Sequence, residues 1–157
     1  MARIRVAIAD DDAGIRSALA DVLAADPRFT VVGSASTGEE LCRLVRSVAA
    51  DVVLLDVRMP GGGADAARAL GTCTPAPGAR PPAVIAVSGH TGAATVTSML
   101  RAGAVGYLAK GRLARLPDLV ARCAAGEVVL AVPSATDALR RVVREDRGAT
   151  HAGPRGR

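Results

Sequence analysis

The chain has 157 residues, half of them apolar, which suits one domain with a single core and a short appendage. Its net charge of +5 is unevenly placed: residues 1–139 hold 14 basic and 13 acidic side chains, whereas residues 140–157 hold six Arg against Glu145 and Asp146. Several classes are thereby set aside: no apolar run approaches the roughly 20 residues of a membrane span, Met1–Val6 lacks the pattern of a cleaved leader, and Phe29 and Tyr107, the only aromatics, make no base-stacking platform.

Cys42, Cys73 and Cys123 are scattered and odd in number, so they read as small buried or half-buried thiols and not as a disulfide or zinc framework. The expectation is a cytoplasmic protein, with a basic tail that could hold a polyanion.

In chain order, Ile4–Ala9 is a short apolar run of the kind a buried strand shows. Ile15, Leu19, Val22 and Leu23 follow at helical spacing, and Asp26-Pro27 ends that helix. Phe29–Val32 is a second strand, and Leu41, Leu44, Val45 and Val48 mark a second helix. Asp51–Leu55 is a third strand, almost wholly apolar and so expected at the centre of a sheet. Ala64–Leu70 favours a third helix, short and poor in large apolar residues, before a Pro/Gly-rich loop over Gly71–Pro82. Ala83–Val87 is a fourth strand, and Val96, Met99 and Leu100 lie on a fourth helix closed by Gly103. Val105–Ala109 is a fifth strand, and Pro117 to about Cys123 opens a fifth helix that ends near Gly126.

Five strand–helix pairs in strict alternation predict a doubly wound five-stranded parallel α/β sheet, flavodoxin-like with order 2-1-3-4-5 and helices on both faces. Ligands of such sheets bind beyond the carboxyl ends of the strands. Those ends carry Asp10, Asp11 and Asp12 after strand 1, Asp56 after strand 3, Ser88 after strand 4 and Lys110 after strand 5. Clustered carboxylates repel one another, and a hard divalent cation relieves the repulsion. Oxygen donors and waters suit Mg²⁺. A carboxylate beside Mg²⁺ and an ammonium is a plausible nucleophile toward phosphorus, with the charges of the metal and of Lys110 set against the transferring oxygens.

Those stretches, Asp10-Asp11-Asp12, LLDVRMP, VSG and RAGAVGYLAKG, resemble in order and spacing a receiver domain of a two-component response regulator over about residues 4–126. Receivers attached to helix-turn-helix outputs of the NarL/FixJ type are the most similar. The resemblance implies a phosphoprotein in which Asp56 accepts a phosphoryl group from a sensor histidine kinase. It further implies Mg²⁺ held by Asp10, Asp11, Asp56 and the backbone carbonyl of Arg58, with Asp11 the direct ligand of the acidic pair and Asp10 acting mostly through water. Ser88 then matches the hydroxyl that moves to the phosphoryl oxygen, Lys110 the ammonium of the family, and Tyr107 the aromatic that changes rotamer on activation. The switching face is that of helix 4, strand 5 and helix 5, open to a downstream protein or a second copy. Such a receiver catalyses only its own phosphorylation and dephosphorylation. Asp12, a third acid where two suffice, reads as a solvent-facing or first-turn charge. His90 reads as an exposed loop imidazole, or with Arg58 as a lining of the solvent side of the phosphoryl group. Many receivers have Pro after the lysine; Gly111 here predicts a freer loop.

The receiver is expected over residues 1–126, a linker or C-terminal helix over 127–146, and a disordered basic tail over 147–157. Ser134 reads as the N-cap of that helix, with Leu139, Val142 and Val143 as its apolar stripe among Arg140, Arg141 and Arg144. No complete DNA-binding output fits, so DNA binding is not expected of this chain alone. Two alternatives stand beside this reading. A receiver-like adaptor that is never phosphorylated would be expected to lack Asp56, Lys110 or the acidic pair. A haloacid-dehalogenase-like phosphatase could use Asp10-x-Asp12, Ser88 and Lys110, but leaves Asp56 idle and needs a downstream acidic pair that follows no apolar strand here.

Overall fold

The computed structural model describes residues 2–150. It contains β1 (Ile4–Ala9), α1 (Ala13–Ala24), β2 (Phe29–Ala35), α2 (Gly38–Ser47), β3 (Val52–Leu55), α3 (Gly63–Thr72), β4 (Ala83–Ser88), α4 (Ala93–Arg101), β5 (Gly106–Ala109), α5 (Leu116–Ala124), β6 (Val129–Ala131) and α6 (Ala135–Thr150). The strands form one parallel sheet in the order β2-β1-β3-β4-β5-β6. The doubly wound order is the expected one; the sixth strand is an addition. Val129–Ala131 pairs with Gly106–Leu108 and so covers an edge that the sequence reading left bare. Three residues with no alternation give too little pattern to reveal a strand.

Period-two alternation divides the core. Val6, Ile8, Val52, Leu54, Ile85, Val87 and Leu108 face α1 and α5, where Leu19, Leu23, Leu116, Leu119 and Val120 complete one layer. Ala7, Ala9, Val53, Leu55, Ala86 and Tyr107 face α2, α3, α4 and α6 on the other side. β3 is buried at all four positions, as a strand covered on both faces must be.

The third helix spans ten residues and packs with small side chains: Ala66, Ala67 and Leu70 form its buried face. Small residues allow close approach here. A Cβ at Gly38 would lie 1.7 Å from the Gly61 carbonyl oxygen, and the Gly38 N–H donates to the Pro60 carbonyl at 3.0 Å. Gly63 starts α3 at φ +64, with the Val57 carbonyl 2.6 Å from where its Cβ would be. The loop that follows Asp56 is thereby pressed against the start of α2.

Two further differences concern the later segments. The segment after Lys110, expected as a loop, is a 3₁₀ helix over Lys110–Arg115, kinked at Arg112 (φ −124, ψ 41). Of the tail expected to be disordered, residues 147–150 continue α6, and residues 151–157 lie outside the described residues. Among the described residues no helix is long and apolar enough to cross a membrane.

Candidate functional site at the carboxyl ends of the strands

The ladder bonds place the acids. The N–H of Asp10 donates to the Ala35 carbonyl at 3.1 Å, and the N–H of Asp56 donates to the Ala9 carbonyl at 2.9 Å. Each aspartate is thus the first residue past its strand, still pinned by one sheet bond. Parallel pairing of β1 with β3 sets Ala9 beside Leu55, so Asp10 and Asp56 emerge side by side. Pairing of Ser88 with Ala109 brings Lys110 to the same edge.

Asp10 and Asp56 are buried, Asp11 is exposed, and carboxylate oxygens of all three lie within 4.8 Å of one another. Lys110 bridges the buried pair: its Nζ is 2.8 Å from Asp10 Oδ2 and 3.3 Å from Asp56 Oδ1. Burial, and next the nearby Asp10 carboxylate, push the Asp56 carboxyl above its ordinary value, while Lys110 and the Arg58 N–H at 3.4 Å pull it back only in part. Burial of Lys110 works against its charge, but its contacts with Asp10 and Asp56 outweigh this and hold its ammonium above the ordinary value.

Asp12 does not join the cluster. Its Oδ1 accepts the Ile15 N–H at 3.1 Å as the N-cap of α1, and its own N–H donates to Asp10 Oδ1 at 2.9 Å. The second carboxylate of the phosphatase alternative is therefore spent on capping. Arg16 was not foreseen: its guanidinium donates to the Asp10 carbonyl at 2.6 Å and steadies the acidic turn from α1. A lone Arg one turn into a helix carries no distinguishing signal in the sequence.

Comparison with known proteins decides the family. The model of the response regulator receiver domain matches residues 6–122. The chain belongs to that family. Response regulator GacA of Pseudomonas viridiflava is 39% identical over 109 residues, which are 69% of this chain and 49% of GacA. The transcriptional regulatory protein YxjL of Bacillus subtilis (strain 168) is 32% identical over 152 residues, 96% of this chain and 67% of YxjL. The signal receiver domain of NarL from Mycobacterium tuberculosis superposes with a TM-score of 0.74 at 32% identity, covering 81% of this chain and all of that one. The chain spans about half the length of relatives such as GacA. The likeness to NarL-type receivers read from the motifs is shown.

Receivers bind Mg²⁺ at an acidic pocket, and the donor set of this receiver fits one. It is all oxygen, it gathers three carboxylates, and the exposed Asp11 leaves a side open to water. The remaining receiver residues sit around it. Ser88 is fully buried, and its Oγ accepts the His90 N–H at 3.0 Å. Tyr107 is fully buried, with burial raising its phenol above its ordinary value, and its hydroxyl donates to the His90 carbonyl. The side chain of Tyr107 thus lies in the interior, tied to the loop between β4 and α4. The side chains of His90 and Arg58 are exposed.

Proposed function

We propose that this receiver is a phosphorylation switch in which Asp56 accepts a phosphoryl group from a sensor histidine kinase in the cytoplasm. The observation that carries the reading is the bridge of Lys110 between the buried carboxylates of Asp10 and Asp56, with Asp11 beside them. A structural ion pair needs one acid; three acids around one ammonium leave excess negative charge that suits a divalent cation. Asp10, Asp11, Asp56 and the Arg58 carbonyl would hold Mg²⁺, whose charge offsets that of the incoming phosphoryl oxygens when bound.

The chain's own residues do the rest. Asp56 is the nucleophile: one of its carboxylate oxygens forms the bond to phosphorus as the bond from phosphorus to the kinase histidine nitrogen breaks. Lys110, already 3.3 Å from Asp56 Oδ1, stays within reach of a phosphoryl oxygen, and Ser88 supplies a hydroxyl donor to another. Hydrolysis by water returns Asp56, so the only catalysis is of the receiver's own phosphorylation and dephosphorylation. A downstream protein, or a second copy, reads the face of α4, β5 and α5. The adaptor alternative is the weaker one, because every residue it could dispense with is present and assembled.

Incubation with acetyl phosphate and Mg²⁺ followed by intact mass tests the assignment. The wild type gains one phosphoryl group and Asp56→Asn gains none. Equal labelling of the two proteins would refute it.

A further inference from the structure

Beyond the acceptor site, the segment after α5 is built into the switch. β6 adds to the sheet beside β5, Val132 is buried, and α6 lies against α4. This segment therefore occupies the α4–β5 surface through which a receiver of this fold would be read. Its apolar burial is small. Among the described residues of α6, Ala138 alone is fully buried; Ala135 and Val142 are half-buried, and Leu139 and Val143 face solvent. Among its polar ties, Ser134 Oγ donates to the Thr91 carbonyl, and Arg101 of α4 pairs with Glu145.

The first tie lands on the loop that the phosphoryl site must move. Ser88 Oγ accepts the N–H of His90, Tyr107 donates to the carbonyl of His90, and Ser134 donates to the carbonyl of Thr91. Three side chains from β4, β5 and the entry to α6 thus grip three consecutive peptide groups, from Gly89–His90 to Thr91–Gly92. The sequence suggested Ser134 as an N-cap, and its carbonyl does accept the Ala138 N–H at 3.0 Å. Its hydroxyl, however, reaches 43 residues back to the switch loop.

We propose that α6 is the built-in occupant of the α4–β5 face and that Ser134 is the positioning residue that ties its release to the state of Asp56. The inference rests on Asp56 as phospho-acceptor. Movement of Ser88 toward a phosphoryl oxygen draws the His90 and Thr91 peptides with it, the Ser134 tie breaks, and α6 lifts from α4. A partner of the α4–β5 face then competes with this helix and not with water.

The test is hydrogen–deuterium exchange of α6 in the full chain, with and without beryllofluoride and Mg²⁺, beside acetyl phosphate labelling of the same proteins. In the wild type the mimic raises exchange over α6 roughly five- to tenfold, the size of one lost hydrogen bond. Ser134→Ala exchanges that fast without the mimic, gains little more with it, and is labelled like the wild type. Arg101→Gln also loosens α6 but leaves the loop untouched, so it keeps the mimic-dependent increase. That contrast separates coupling from general loosening. Unchanged α6 exchange in a wild type whose Asp56 loop responds to the mimic overturns the inference alone, as does a Ser134→Ala protein that still shows the full increase. Absence of labelling in the wild type removes the proposed function, and the trigger with it.

Discussion

Replacing Lys110 by Met keeps the length of the side chain and removes the one ammonium seen on two buried carboxylates. The Nζ lies 2.8 Å from Asp10 and 3.3 Å from Asp56. At an effective dielectric of about 20 those separations correspond to attractions of roughly 6 and 5 kcal/mol before desolvation. Breaking a buried pair by removing one partner costs about 3–5 kcal/mol, because the charge left behind has no compensation. Lys110 is 26% exposed, so water replaces part of its effect and the lower end, about 3 kcal/mol, is expected. Urea unfolding at pH 7 in EDTA reads this directly. Saturating Mg²⁺ should shrink the deficit, since a divalent cation answers the same carboxylates. Adding Asp56→Asn to Lys110→Met should recover about 1 kcal/mol or more by removing one of the repelling charges. A Lys110→Met protein within about 0.5 kcal/mol of wild type, or a deficit that widens in Mg²⁺, would refute this account of the site.

Asp11→Ala should weaken Mg²⁺ binding, read by titration, more than Asp12→Ala does; Asp12→Ala should instead cost about 1 kcal/mol of stability, because it removes the cap on the Ile15 N–H. Gly38→Ala should destabilise by about 2–3 kcal/mol in urea, as its Cβ would meet the Gly61 carbonyl oxygen at 1.7 Å. Gly71→Ala, in α3 with nothing within 4 Å, should be neutral or stabilising. The hydrogen bonds from Arg5 hold the Asp51 carboxyl below its ordinary value. Their stabilisation is therefore present above about pH 4, the unfolded value, and is lost as pH falls through the lower folded one. Melting temperatures taken from pH 6 to pH 3 should fall less for Asp51→Asn than for wild type, and parallel curves would show that the pair contributes nothing.

What was legible in the sequence follows from how each feature is encoded. Strands buried on both faces show as continuous apolar runs, so β1 and the central β3 were evident, and the residue after each run was a candidate ligand by position alone. Parallel topology then did the assembling: Asp10, Asp56, Ser88 and Lys110 needed only to end their strands to meet. Features encoded by single contacts stayed hidden. Ser134 has an ordinary cap signature, and nothing local says that its hydroxyl reaches Thr91. Arg16 is one arginine among many, and β6 is three residues joined to a sheet edge whose position depends on the rest of the fold. For α3 the sequence shows mainly small apolar residues, and only the closeness to α2 and the Gly38–Gly61 contact reveal why small residues are the fitting choice.

The hydrogen bonds around Ser88 constrain how far a phosphoryl group can drive the switch. A serine hydroxyl has one donor and two acceptor lone pairs. Ser88 can therefore keep the His90 N–H and still donate to a phosphoryl oxygen, so the loop travels with it as a body. What must yield is the bond from Ser134 to Thr91, which comes from a segment that stays behind. One neutral hydrogen bond is worth about 1 kcal/mol net of exchange with water, against roughly 1.5–3 kcal/mol for one charge-assisted bond to the phosphoryl group. The surplus is at most about 2 kcal/mol. A surplus of 2 kcal/mol moves an equilibrium by roughly thirtyfold. Conversion from a mostly seated to a mostly released α6 under that limit requires that the released form already hold several per cent of the unphosphorylated population. The apolar burial of α6 is small, with Ala138 the one fully covered residue among those described, which suits two forms that lie so close.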